Sequence, residues 1–195
     1  NVSYSYSEEL KFEATSIEII DKDKIIIANE GVKILSGDEI VIDADQMRYD
    51  KEEKFLKASG NIIITNQIEN IKILSDNITY NKNTEKIVSS GNVEIKFEDN
   101  YTLKTKEIIY LKNSQEILIN YSSKIKDNLG NEIEFKQLNY NAIDKLIKGK
   151  MVKLFDLENN FYNFDSAIID LSKNQMIADN VSIDFDKNIF GNPLN

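Results

Sequence analysis

Apolar and small residues recur along the chain at relative offsets of zero, two, five and seven, and the whole set recurs six times. Phe12, Ala14, Ile17 and Ile19 form the first copy, and Ile42, Ala44, Met47 and Tyr49 the second. Ile73, Ser75, Ile78 and Tyr80 form the third, Leu103, Thr105, Ile108 and Tyr110 the fourth, Ile133, Phe135, Leu138 and Tyr140 the fifth, and Tyr162, Phe164, Ala167 and Ile169 the sixth. First positions are separated by 30, 31, 30, 30 and 29 residues. A period of this length marks a stacked array, in which each unit buries its apolar face only against its neighbours.

Within a copy the two-residue alternation predicts strands. The unit from Ile42 to Ile64 shows both halves: an alternating run, a charged turn at Asp50 to Lys54, and a second run that passes Gly60-Asn61 into isoleucines. Gly31 and Gly91 stand in the same place in copies one and three. Two strands per copy predict about twelve strands and no helix. The step from offset two to offset five is odd, so a straight strand would send Ile42 and Met47 to opposite faces. A bulge or corner near Asp45-Gln46 and Asp76-Asn77 restores one apolar face. The repeated aspartate is therefore read as a corner residue. Copies four to six drift in their second halves, where Tyr121-Ser122-Ser123, Gly149-Lys150-Met151 and Asp179-Asn180-Val181 replace the Gly-Asn pair.

The array is predicted to occupy residues 12–187, after a leader at 1–11 and before a linker at 188–195 that leads to a following domain. A sheet of this kind cannot bury one face alone, so it must fold on itself into a V, a roll or a solenoid. With one proline and seven glycines in 195 residues, the turns rely on Asn, Asp and Lys, as in Asn81-Lys82-Asn83.

Charge and chemistry narrow the function. A net charge of -9 with a single arginine, Arg48, excludes nucleic acid as a partner. Cysteine and histidine are absent, which removes disulfides, thiolate nucleophiles, the commonest metal ligands and the commonest general base. No apolar run is long enough to cross a bilayer as a helix. The carboxylate pairs Asp43/Asp45 and Glu52/Glu53 follow the repeat and are read as solvated or corner groups. No catalytic residue, metal site or cofactor is expected, which leaves a large apolar inner face as the functional surface. The tyrosines at 49, 80, 110 and 140 form a register-matched row, either a ladder of core or edge aromatics or part of a groove.

The run Ala44-Asp45…Tyr49-Asp50, followed by Ala58-x-Gly60-Asn61 and a strand, resembles the OstA-like periplasmic domains of the lipopolysaccharide transport proteins LptA, LptC and LptD. Ser75-Asp76…Tyr80 with Ser90-Gly91-Asn92-Val93 is a second match, and weaker ones cover most of residues 12 to 185. The tail Phe190-Gly191-Asn192-Pro193 is similar to the junction between the N-terminal domain of LptD and its outer-membrane barrel. One departure is the lack of cysteine, which LptD members with a disulfide-tied domain carry here.

The resemblance implies a non-enzymatic, periplasmic open β-jellyroll, attached to the outer membrane if a barrel follows. It implies that the domain binds lipopolysaccharide acyl chains between its sheets. Ile42, Met47, Ile62, Ile64, Ile73, Ile78, Val93, Ile95, Leu103, Ile108, Ile133, Phe135 and Leu138 are the expected lining. Its implied partners are lipopolysaccharide and an LptA-like protein added edge to edge near Phe12 to Ile19. The alternatives are an LptA-like bridging carrier, a structural β-solenoid with a dry core, and a right-handed β-helix enzyme acting on polysaccharide.

Overall fold

The alternation is realised as strand throughout, in a computed structural model that describes residues 10–36, 40–66, 68, 70–155, 157 and 160–184. Residues 1–9 of the expected leader, the expected linker and the Phe190-Gly191-Asn192-Pro193 run lie outside the described residues. Eight strands are long and continuous: β3 (Ile25–Ser36), β4 (Ile40–Asp50), β5 (Phe55–Asn66), β6 (Ile71–Asn81), β7 (Lys86–Phe97), β8 (Tyr101–Leu111), β13 (Leu146–Phe155) and β14 (Phe161–Asp170). Four further runs are each broken in two at the corner. These are β1 (Leu10–Glu13) with β2 (Ser16–Ile20), β9 (Glu116–Ile119) with β10 (Ser123–Asp127), β11 (Glu132–Phe135) with β12 (Gln137–Asn141), and β15 (Gln175–Asp179) with β16 (Ser182–Asp184). The twelve expected runs thus become sixteen strands of one antiparallel sheet. Because the strands pair antiparallel, the parallel β-helix alternative does not hold.

The odd step is a bulge. Between β4 and β5 the register jumps from Asp43↔Ile63 to Gln46↔Ser59, so Gly60, Asn61 and Ile62 face only Ala44 and Asp45. Gly60 and Asn61 both take left-handed φ, 79° and 47°, as do Gly91 and Asn92 at 77° and 46°. A carboxylate fastens each of these corners: Asn61 Nδ2 donates to Asp45 at 2.8 Å and Asn92 Nδ2 to Asp76 at 2.9 Å. The same bond recurs between Asn180 and Asp165. A Cβ on Gly60 would overlap the Asp45 carboxylate, so glycine is required there for space as well as for φ.

Past the bulge the strands continue on a second leaf. One leaf carries β1, β10, β11, β16 and the half of each long strand that includes Ile34, Ile42, Ile64, Ile73, Ile95 and Leu103. The other carries β2, β9, β12, β15 and the opposite halves. The inner faces of the two leaves meet in one core cluster that includes Ile42, Met47, Ile64, Ile78 and Ile108. Each fully buried isoleucine of this kind contributes about 1.5–3 kcal/mol, and the repeat multiplies that contribution along the array.

Candidate functional site

All thirteen expected lining residues sit on the inner face. Twelve are buried in the core, and Ile133 is partly buried against it. Ile42, Ile62, Ile64, Ile73, Val93, Ile95, Leu103, Ile133 and Phe135 come from the first leaf, while Met47, Ile78, Ile108 and Leu138 come from the second. A further inner row on the second leaf consists of Ile26, Leu56, Ile87, Ile117 and Ile147, each opposite a tyrosine or an aliphatic residue of the first-half strands. Sequence reasoning passed over it. Yet these residues recur at the same period of about 30 in the second halves of the copies, and applying the repeat there would have found them.

The interior is closed. The cavity between Ile95, Phe97, Leu103, Ile117, Ile125, Leu138, Tyr140 and Ile147 measures about 10 Å³, at the lower bound of what one water occupies. Two interior hydroxyls, Ser89 Oγ and Ser123 Oγ, have no hydrogen-bond partner among the described residues. At its first end the track comes to the surface: Ile17 pairs with Ala28 and Ile19 with Ile26, which places both on the inner face, yet they are 46% and 53% exposed. At the other end Met176, opposite the inner residue Ile169, is 40% exposed.

The bulges join the leaves along one side. Along the other side, no backbone hydrogen bond among the described residues connects the two lips. Side chains close that seam, and the tyrosine row supplies them. The Phe12 ring lies 5.4 Å from Tyr49, and the Phe97 ring 5.0 Å from Tyr140. The hydroxyls of Ser36 and Tyr80 share a hydrogen bond of 3.3 Å, and Asn66 Nδ2 donates to Tyr110 at 3.4 Å. Tyr140 donates to Glu98 at 3.3 Å, and Lys145 Nζ approaches the same carboxylate at 2.8 Å. The tyrosines are therefore core aromatics that also act as the seam's closures. Burial pushes the Tyr49 phenol above its usual pKa, with the Asp50 charge adding to the effect.

Asp43 and Asp45 lie on the outer surface beside the corner, and Asp45 holds Asn61. Among the described residues no cluster of three carboxylates offers a metal site. The arrangement suits contact with apolar matter.

Comparison with known proteins agrees with this geometry. No protein-family model matches the chain, and no curated protein matches its sequence. Among solved structures the chain is similar to LptH of Pseudomonas aeruginosa, the LptA-homologous periplasmic component of the lipopolysaccharide transport device. The TM-score is 0.51 at 16% identity, over 57% of this chain and 81% of that one. The likeness establishes the shared fold, an all-antiparallel β-jellyroll with no helix among the described residues.

Proposed function

We propose that the chain is a periplasmic module of lipopolysaccharide transport that takes acyl chains between its leaves and passes them to a neighbouring module of like fold. The observation that carries this reading is the continuous apolar track, which runs the length of the array and surfaces at both ends. A hinge of bulges on one side and a seam of side chains on the other make parting of the leaves cheap in backbone terms. Apolar surface uncovered by parting is covered again by the acyl chain, at about 0.8 kcal/mol per methylene. The cost is confined to the seam contacts, at about 0.5–1.5 kcal/mol for each neutral hydrogen bond and less for the exposed Lys145–Glu98 pair.

The likeness to LptH supports a bridging carrier of the LptA type. The N-terminal domain of an LptD-like assembly protein, joined to an outer-membrane barrel, rests on the resemblance of the Phe190-Gly191-Asn192-Pro193 run. Several hundred residues of amphipathic strands after Asn195 in the full-length chain would establish that form. The closed interior favours a second reading, a structural array with a permanently dry core.

Site-specific photo-crosslinking separates the two. A photoreactive residue at Ile78 or Ile108 is expected to form an adduct with lipopolysaccharide, whereas one at Asn83, on the exposed turn before β7 of the same leaf, is not. A folded protein that gives no adduct from either interior position supports the dry core.

A further inference from the structure

On the outer face of the second leaf, beside the bulges of β3 to β6, lies a trough of about 470 Å³. Two cross-strand rows form its walls. One is Asn29, Gln46, Ser59 and Asn77, and the other is Ile27, Arg48, Lys57 and Thr79; each row is in direct register across four strands. Met47, Ala58 and Ile78 lie between the rows and complete the lining, whose exposed surface is mostly apolar. With strands about 4.8 Å apart and alternate residues about 6.8 Å apart, the trough is about 14 Å long and 7 Å across.

The charges are arranged unusually. Arg48 stands directly opposite Lys57, and like charges in that position destabilise a sheet. In a chain of net charge -9, carboxylates are available to neutralise such a pair. Elsewhere on the outer surface they do so: Lys96 and Lys104 share Glu94, and Lys124 is held by Glu132 and Glu134. Arg48 and Lys57 form no ion pair among the described residues; the Lys57 ammonium rests 5.8 Å over the Phe55 ring, which leaves its charge intact. The amide and hydroxyl groups of Asn29, Gln46, Ser59 and Asn77 make no side-chain hydrogen bond among the described residues. Two bare cations on one wall suit a phosphate, which arginine grips with two parallel N–H donors. A row of idle amides on the other suits hydroxyls, since each amide both donates and accepts. The shallow, open floor suits a flat ring that remains partly in water.

We propose that this trough binds a phosphorylated saccharide, with the phosphate between Arg48 and Lys57 and the sugar hydroxyls on Asn29, Gln46 and Asn77. The site faces outward and is separated from the apolar interior by the sheet itself, so it stands or falls independently of acyl-chain binding. Because Arg48 is the only arginine in the chain, its side-chain Nε–Hε group gives a single, unambiguous NMR signal. Glucose 1-phosphate titrated into the isotope-labelled chain is expected to shift that signal saturably, at concentrations about tenfold below those needed for inorganic phosphate. Glucose alone should leave it in place. Lys57→Gln, at an exposed position, should weaken the sugar phosphate about tenfold while the backbone spectrum stays folded. The proposal is overturned if the Arg48 signal does not move, if inorganic phosphate is as effective as the sugar phosphate, or if Lys57→Gln leaves the titration unchanged.

Discussion

At the scale of single residues, the recurring Asp and Gly-Asn positions form one mechanical part. Gly60 supplies a left-handed backbone with no side chain, Asn61 the second left-handed residue, and Asp45 the carboxylate that lies over the glycine and holds the asparagine. Gly60→Ala therefore combines strained φ with overlap onto Asp45, and is expected to lower stability by about 2 kcal/mol. Urea unfolding measures the loss. Adding Asp45→Ala should recover the part due to overlap, and a Gly60→Ala chain within about 0.5 kcal/mol of the parent would refute the account. Tyr49 offers a pH signature. Its phenol ionises above the ordinary value of 10.0 because it is partly buried, so the unfolded chain loses that proton first. The associated stability is complete below pH 10 and is lost as pH rises through the folded-state pKa. The urea midpoint should consequently fall above pH 10, and fall less steeply in Tyr49→Phe.

Elements differ according to whether a bulge or a break turns the corner. Where Gly-Asn is present the second-half strand stays continuous, as in β5 and β7; where Tyr121-Ser122 or Asn180-Val181 stands at the corner the run divides, into β9 and β10 and into β15 and β16, whereas β13 runs unbroken through Gly149-Lys150-Met151. The drift in the later copies was legible in the sequence as a lost motif. Its consequence, broken strands, was not, because continuity depends on hydrogen bonds to both neighbours at once. The terminal element is open in another sense. All five residues of β2 are exposed, including the inward-facing Ile17 and Ile19, and among the described residues it pairs only with β3. Under the proposed function, that edge would add to a partner's terminal strand and extend the track. Deleting residues 1–20 is expected to abolish crosslinking to a module of like fold while circular dichroism reports an intact sheet. Retained crosslinking would move the docking edge elsewhere, to β15 and β16 or to none.

For the whole molecule, the decisive property is that two leaves share a hinge of backbone and a seam of side chains. If lipid enters through the seam, tethering the lips should block it. The chain has no cysteine, so Glu98→Cys with Lys145→Cys, at the solvent-accessible ends of the seam, can be bridged selectively by a short bis-maleimide. The tethered protein should lose the lipopolysaccharide adduct from Ile108 by about tenfold or more relative to either single variant, while its thermal stability holds or rises. An undiminished adduct would place the route at the open ends, where Ile17 and Met176 surface.

The sequence by itself determined the strand class, the number of copies, the corner in each copy and the apolar identity of the inner face. All of these follow from short-range alternation and from a period that repeats with little change. It offered thirteen apolar positions as the expected lining but left open which of them face inward past the bend; the structure puts all thirteen on the inner face. Only the tertiary structure decided what the tyrosine row touches. Its partners at Ser36, Asn66, Phe97 and Glu98 lie about 43 residues away, a separation set by how the two leaves shear past each other as the sheet twists. It likewise decided that the interior is closed and that Arg48 faces Lys57 across a strand boundary. Register between strands, the packing of opposite leaves and the pairing of charges are properties of the assembled sheet, and none of them is carried by a single run of residues.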